Sequence, residues 1–402
     1  MLIMSSRHAQ NGHAPSREWA AFRVLAGGML GLVVAMGIGR FAFTPILPLM
    51  QRDLGMSHTV AGWLAGLNYL GYLAGAIACT VGPRLLRSRA LGGSALLLSL
   101  GTTVFMGLTL MPAWWGGLRL VGGAASAILF IVISAEVGES LARRGYGHWF
   151  GALYGGVGFG IALSGLVVPL LDRVGGWSSA WLGIGVIAVL CAAAGIALGR
   201  TDDYSPPPPA ATANRGVGLR SIALLAAAYF LEGLGYIVTA TFLVAIIAMT
   251  PGLAEFAPYS WVAVGLAAVP STILWPYLGR RIGNRRALLA AYVLQAAGIL
   301  VSRHATSIGE VLFAAVSFGG TFMGIVALTL AEGNLRMGKD GRRAAAFLTA
   351  SFSVGQVLGP IIAGVLADRY AGFGMPLLLA AASVAAAALF VALDRRYHTR
   401  TP

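Results

Sequence analysis

Charged residues are scarce in this chain of 402 residues. Asp, Glu, Lys and Arg together make up 10% of the sequence, whereas hydrophobic residues make up 57%. One soluble core could not bury so much apolar surface, so the composition excludes an ordinary globular protein. The sequence therefore predicts an all-α integral membrane protein, because helices satisfy their own backbone hydrogen bonds in lipid.

Cysteine and histidine are also rare, with two and six residues respectively. Cys79 and Cys191 lie within apolar runs, so they indicate neither a disulfide framework nor a metal site. The histidines show no ligand spacing, and the sequence contains no G-x-S-x-G, H-E-x-x-H or G-x-x-x-x-G-K-[ST] motif. We therefore expect no metal and no cofactor. A membrane enzyme and a sensor, which would need a soluble output domain, are the less favoured alternatives.

Apolar runs of about 20 residues, the length that crosses a hydrocarbon core, recur along the whole chain. We count twelve such runs, which predicts twelve transmembrane helices and places both termini on one side of the membrane. The predicted spans are residues 24–49, 59–82, 90–112, 114–137, 148–171, 177–199, 220–249, 258–279, 287–303, 307–331, 344–367 and 374–393.

Basic residues in short connections mark the cytoplasmic side of a membrane protein. Here 22 Lys and Arg residues fall in the two tails and the even-numbered connections, whereas the opposite loops hold only Arg52, Arg173, Arg303 and Arg369. This asymmetry predicts cytoplasmic termini. It also explains the net charge of +14 by topology and anionic lipid, so nucleic acid is not an expected partner.

The longest polar connection, RTDDYSPPPPAATANRG at residues 200–216, separates six spans from six. Its proline run favours polyproline II structure, so we interpret it as a linker. The two sets also match at an offset of 196 residues, which pairs Glu136 with Glu332 and GIGRF with GLGYI. Such duplication is typical of secondary transporters. The predicted domains are a tail (1–23), a six-helix bundle (24–199), the linker (200–219), a second bundle (220–394) and a tail (395–402).

The connection YLGRRIGNRRAL, residues 277–288, resembles a loop motif of the major facilitator superfamily, usually G-x-L-x-D-R-x-G-R-R. Arg281, Gly283 and Arg285 match this motif, whereas Arg280 and Asn284 replace its Asp and one Arg. The match implies that this loop takes part in gating.

Two further stretches resemble the same superfamily. RLVGG from Arg119 resembles its Arg-x-x-x-Gly motif, and Gly355, Gly359 and Pro360 resemble its glycine–proline motif, although in the eleventh span rather than the fifth. The stretch GIGRFAFTPILPLM, from Gly37, is similar to the start of the YbfB/YjiJ-like branch. The resemblance implies two pseudo-symmetric bundles around a central cavity, and transport by alternating access in a bacterial cytoplasmic (inner) membrane.

Three ionisable residues fall well inside the predicted hydrocarbon region: Arg40, Arg119 and Glu232. At about 1.5 Å per residue, both arginines lie in the outer third and Glu232 lies just outside the midplane. They occupy spans 1, 4 and 7, which the resemblance implies line the cavity. A charge at such depth is costly unless it meets water or a partner, so we expect all three to face one aqueous cavity.

These positions favour binding and coupling roles. Two arginines suit bidentate binding of a carboxylate, whereas a carboxyl group such as Glu232 can take up and release a proton. The sequence therefore favours proton-coupled symport of a small organic anion, with proton-coupled export of lipophilic or cationic compounds as the alternative. Structural explanations stay open, because Arg40 could pair with Glu232 and Arg119 could snorkel beside Trp114.

Other residues complete the predicted site. Candidate polar groups of the cavity are Asn68, Tyr69, Tyr72, Tyr154, Tyr229, Tyr236 and Gln356. Glu136 and Glu332 are expected to form conformation-dependent salt bridges beside basic loops. We expect the small residues of spans 5 and 11 to allow close, sliding helix contacts, and Pro45 and Pro48 to bend span 1. These small residues are Gly156, Gly160, Gly355, Gly359 and Pro360. We expect the protein to act as a monomer whose partners are its small-molecule substrate, protons and the bilayer.

Overall fold

The structure, a computed structural model, describes residues 14–81, 89–199 and 219–394. The predicted linker (except Leu219), most of the N-terminal tail, the C-terminal tail and residues 82–88 lie outside these ranges. Within them every regular element is helical. The α-helices are α1 (Ala14–Leu32), α2 (Phe43–Leu54), α3 (His58–Val81), α4 (Arg89–Met106), α5 (Pro112–Arg143), α6 (Phe150–Leu153), α7 (Gly155–Gly199), α8 (Ala223–Ala248), α9 (Ala257–Ile282), α10 (Asn284–His304), α11 (Ile308–Met337), α12 (Gly341–Arg369) and α13 (Gly374–Leu393).

Ten helical stretches in the described ranges are long and apolar enough to cross a membrane. The longest, Gly147–Gly199, has 53 residues, and its backbone leaves helical geometry at Gly175 and Gly176. Gly176 has a φ of +68°, which glycine adopts without steric cost. This break divides the stretch between predicted spans 5 and 6. A shorter apolar helix, Ala90–Met106, occupies predicted span 3.

The first span differs from its predicted shape at two places. Helix α1 begins at Ala14, so the last ten residues of the predicted tail are helical. A π-helix, Val33–Ile38, then leads into a turn at residues 39–42, before α2 begins. The interruption therefore precedes Pro45, which lies in the first turn of α2, where its missing N–H costs nothing. The turn places Arg40 between two helices.

Close helix packing takes the same form in both halves of the chain. We call residues 24–199 the N-half and residues 220–394 the C-half. A Cβ atom on Gly160 of α7 would lie 2.6 Å from the Cα of Gly37 in the π-helix. A Cβ atom on Gly355 of α12 would lie 2.6 Å from the backbone nitrogen of Leu234 in α8. Both sites therefore need glycine so that two backbones can touch.

The halves pack against each other along α3 and α12 and along α7 and α9. Asp368 hydrogen-bonds across the halves at one face of the molecule, which we call the α2–α3 face because α2 ends and α3 begins there. The Asp368 carboxylate accepts hydrogen bonds from the backbone N–H groups of His58 (3.0 Å) and Thr59 (2.7 Å). At the start of α2, about 15 Å from that face, the Thr44 hydroxyl donates to the Ala240 carbonyl of α8 (2.5 Å). Ion pairs described at the opposite face stay within one half, such as Arg143–Glu139 and Arg336–Glu332.

Candidate functional site

Arg40 lies deep in the molecule, at the turn between the π-helix and α2, and only 4% of its surface is exposed. Its guanidinium carbon lies 4.5 Å from the ring centroid of Tyr69 and 4.2 Å from that of Tyr72, both on α3. The Nε and Nη2 atoms of this guanidinium are buried without a hydrogen-bond partner. Among the described residues no acid forms an ion pair with Arg40. The guanidinium group of Arg40 therefore lies against aromatic rings and has no described acidic partner.

Arg119 and Asn68 link α5 to α3. The guanidinium carbon of Arg119 lies 4.5 Å from the ring centroid of Phe43, and its Nε donates to the Leu64 carbonyl (3.4 Å). The amide of Asn68 donates to the Arg119 carbonyl (2.9 Å), and its own Oδ1 is buried without a partner. Arg119 is 3% exposed, so it does not snorkel to the surface. Both residues are buried in the N-half, as Arg40 is.

An aromatic stack in the C-half faces this part of the N-half. The Tyr236 ring of α8 stacks on Phe322 of α11 and Phe352 of α12, with centroids 6.1 and 5.2 Å away. Phe318 stacks on both Tyr236 and Phe322, at 6.1 and 5.3 Å. Gln356 donates a hydrogen bond from its amide to the Tyr236 hydroxyl. We call Tyr236, Phe318, Phe322 and Phe352 the aromatic stack.

Phe41 connects Arg40 to the aromatic stack. Its ring centroid lies 5.4 Å from the Arg40 guanidinium carbon and 6.4 Å from the Phe322 ring. Sequence reasoning selects Tyr236 and Gln356 but misses the three phenylalanines of the stack. Their helices are apolar on all sides, so no polar stripe in the sequence marks which side of each helix turns inward.

Glu232 lies in the interior of the C-half, between α8, α10 and α11, and is 1% exposed. Its Oε1 accepts a hydrogen bond from the Gln295 amide (2.7 Å), whose Oε1 accepts one from the Thr321 hydroxyl (2.8 Å). Its Oε2 is buried without a partner. The described partner of Glu232 is thus an amide and not Arg40, and Gln295 is a site residue that sequence reasoning misses.

Glu332 belongs to a polar cluster at the face opposite the α2–α3 face. It accepts hydrogen bonds from Arg336 (2.7 Å) and from the Asn284 amide (3.0 Å). Arg336 also forms an ion pair with Asp394 (2.6 Å). This cluster ties the start of α10 and the end of α13 to α11. Asn284, which replaces an Arg of the superfamily motif, thereby holds Glu332 in place.

The remaining predicted gating residues lie at this same face. Arg285 donates to the Val391 carbonyl (3.4 Å), and Arg281 lies over the Tyr277 ring at 5.3 Å. Gly283 ends α9 with a φ of +88°. Glu136, by contrast, is exposed near the end of α5. The structure therefore does not give the paired glutamates equal surroundings.

The other predicted positions lie at helix contacts. Tyr154 is half-buried against the rings of Phe130 and Phe150, at 5.5 and 5.4 Å. Gly156 packs against the backbone of Met29. Gly359 packs on α8, and Pro360 touches α3 across the two halves.

Comparison with known proteins identifies the protein family. The family described as "Uncharacterised MFS-type transporter YbfB" matches residues 32–392. The chain belongs to this family. It is therefore a multi-pass membrane transporter of the major facilitator superfamily type, as its motifs predict. The "Uncharacterized transporter YycB" of Bacillus subtilis (strain 168) is 28% identical to this transporter over 363 residues, 85% of each chain.

Solved structures show the same fold. The nucleoside transporter NupG aligns with 95% of this transporter and all of its own chain, at a TM-score of 0.68 and 14% identity. A point mutant of NupG aligns with 94% of this transporter and all of its own chain, at a TM-score of 0.74 and 12% identity. At these identities the likeness establishes the major facilitator fold and not the substrate.

Proposed function

We propose that this transporter moves a small organic anion across a bacterial cytoplasmic membrane together with protons, by alternating access. The observation that carries the proposal is the buried guanidinium of Arg40, whose Nε and Nη2 donors lack a partner. A buried charge without a partner is costly, so it is retained where a ligand supplies the opposite charge. Arginine keeps its proton, so it acts as a fixed charge that only an anion can neutralise.

The topology that we propose has twelve crossings and cytoplasmic termini, which makes the α2–α3 face periplasmic. The contacts of Asp368 with α3 and of Thr44 with α8 then close the periplasmic side. Substrate would leave or enter from the cytoplasm in this state. Opening toward the periplasm requires those contacts to break while the two halves rock about the central site.

Glu232 is the proposed proton carrier. Its carboxyl group is buried, with an amide partner at Oε1 and no partner at Oε2. The hydrogen bond at Oε1 can therefore be kept whether or not the carboxyl group carries a proton. Glu232 and Tyr236, a member of the aromatic stack, lie one helical turn apart on α8. Proton uptake at Glu232 would change the charge next to the stack and so bias which face is open.

The second candidate function is proton-coupled export of lipophilic cations. The buried, unpartnered Oε2 of Glu232 favours it, because a carboxylate that lies near aromatic rings attracts a cation with an apolar body. This function would use Glu232 for both substrate and proton, and would leave Arg40 as a structural residue.

The test uses purified transporter in liposomes that contain a pH-sensitive dye. Three pools are added outside: organic carboxylates, lipophilic cations, and nucleosides, the last because NupG is a nucleoside transporter. We expect only the carboxylates to drive proton entry. Glu232→Gln should abolish proton entry but keep anion exchange, and Arg40→Ala should abolish both, because each removes one charge.

Matched variants separate these effects from general damage. Glu310→Gln changes a partly exposed helix-capping carboxylate of α11, and Arg303→Ala removes an exposed arginine at the end of α10. Both should transport like the unchanged protein. Normal anion-driven proton entry in Arg40→Ala would contradict the proposal. Proton movement driven by lipophilic cations alone would favour export.

A further inference from the structure

We propose that the substrate is an aromatic carboxylate, whose carboxylate binds the free edge of Arg40 and whose ring stacks within the aromatic stack. This inference rests on the proposed function, because it names the class of organic anion. Two independent features of the described structure carry it: the geometry of the unpartnered guanidinium edge, and the nearly parallel rings beside it.

The free atoms of Arg40 are the two that match a carboxylate. Tyr69 and Tyr72 lie 4.5 and 4.2 Å from the guanidinium carbon as cation–π partners, which leaves the two unpartnered in-plane donors for other ligands. Nε and Nη2 lie on the same edge of the guanidinium plane, so their N–H bonds point in the same direction. This fork fits the two oxygens of one carboxylate and holds it in the guanidinium plane.

The rings near this edge share one orientation. Tyr236 is inclined by 9° to Phe322 and by 13° to Phe352, and the rings stack on one another in this state, so a flat ligand ring would bind by inserting parallel to them. Phe41 extends the aromatic path from Arg40 to Phe322. The stack belongs to α8, α11 and α12, whereas Arg40 and Phe41 belong to the N-half, so one ligand that touches both groups bridges the two halves.

Stacking gives a flat aromatic ring a higher affinity than a saturated ring of the same size. A saturated ring is puckered and lacks a π-face, so it gains burial but no offset-stacked contact. Burial alone would favour cyclohexanecarboxylate, which has more apolar hydrogen-covered surface than benzoate. A preference for benzoate therefore reports stacking and not hydrophobicity.

The experiment measures binding to the full-length protein in detergent by isothermal titration calorimetry. The probes are benzoate, cyclohexanecarboxylate, hexanoate and benzamide. We expect benzoate to bind about fivefold more tightly than either other carboxylate, the ratio that one aromatic contact supplies. Benzamide has the ring without the charge, so it should bind at least about tenfold more weakly than benzoate.

Variants assign the two contacts. Tyr236→Leu should bring the ratio of benzoate to cyclohexanecarboxylate affinity close to one, whereas Tyr236→Phe should keep it. Arg40→Lys keeps the charge but loses the fork, so all three carboxylates should weaken by about tenfold. Tyr259→Leu, at an exposed tyrosine of α9, is the matched control and should change nothing. Thermal melting of each variant confirms that it is folded.

The outcomes distinguish the inference from the proposed function. If hexanoate and cyclohexanecarboxylate bind and drive proton entry as well as benzoate, the aromatic substrate class is wrong and anion symport stands. An unchanged ratio in folded Tyr236→Leu overturns the inference in the same way. If no carboxylate binds or drives proton entry, both the inference and the proposed function fail.

Discussion

The two halves of this transporter place different chemistry at equivalent positions. At the offset of 196 residues that aligns them, Arg40 of the N-half corresponds to Tyr236 of the C-half, and Glu232 corresponds to Met36. The N-half thus has a guanidinium group where the C-half has an aromatic ring. The C-half has a carboxyl group where the N-half has a thioether. In the function that we propose, separate halves on one shared scaffold handle the substrate charge and the proton.

The scaffold itself is the part that the halves have in common. Gly160 and Gly355 each let α7 or α12 touch the first helix of its own half. The halves diverge in their side chains and in the backbone of the first span, which has the π-helix and turn in the N-half and the continuous α8 in the C-half.

The largest expected effect concerns these two glycines. Alanine normally stabilises a helix relative to glycine by about 1 kcal/mol, and Gly101→Ala should do so because its Cβ would meet nothing within 4 Å. In Gly160→Ala and Gly355→Ala the Cβ would collide with backbone, so each should lose about 3 kcal/mol. Thermal melting in detergent measures all three. A large loss in only one half would show that the halves do not share this packing.

The second prediction compares equivalent polar residues, Gln295 and Ser99. Gln295 donates to Glu232, whereas the Ser99 hydroxyl is buried without a partner. Gln295→Leu should therefore cost about 2 kcal/mol of stability, because Glu232 loses its described partner. Ser99→Ala should cost less than about 0.5 kcal/mol, since no hydrogen bond is lost.

Glu232→Gln provides the control for this comparison. In a Glu232→Gln background, Gln295→Leu should cost less stability than it does in the unchanged protein. The reason is that a neutral amide tolerates burial without a partner better than a carboxylate does. Purely additive melting shifts would mean that Gln295 stabilises the helices without acting on Glu232.

The smallest effect is expected at the α2–α3 face, where Asp172 and Asp368 are equivalent. Asp368 binds the N-terminus of α3 across the halves, whereas Asp172 pairs with the exposed Arg52 of its own half (2.7 Å). Asp368→Asn should weaken closure by about 1 kcal/mol, roughly a fivefold change in population. Asp172→Asn should leave closure unchanged, because exposed pairs contribute little.

Chemical labelling measures this closure. In a background of Cys79→Ala and Cys191→Ala, Thr44→Cys reports the access of a membrane-impermeant maleimide through the α2–α3 face. Labelling should be faster in Asp368→Asn and unchanged in Asp172→Asn. Equal acceleration by both variants would show that the two aspartates hold the face closed in the same way.

The sequence predicts the helices well, because they follow from local hydropathy and length. Depth counting places Arg40 and Arg119 inside the hydrocarbon region, and both are buried in the structure. The sequence does not predict Gln295 as the partner of Glu232, because the face of α10 that turns toward α8 is decided by helix packing. The interruption before α2 is not predicted either; Gly37 of this stretch packs against Gly160 of α7, a contact between residues distant in the sequence.

The π-helix before Arg40 also fixes the angular register of everything after it. A π-turn closes its hydrogen bond one residue later than an α-turn, so Val33–Ile38 accommodates an extra residue in the same length. If the same residues were wound as a plain α-helix, the extra residue would rotate the following side chains by about 100°. The direction in which Arg40 points therefore depends on how this upstream stretch is wound and not on the arginine itself. In related chains, a one-residue gap in this stretch would mark a plain α-helix that keeps the direction of Arg40.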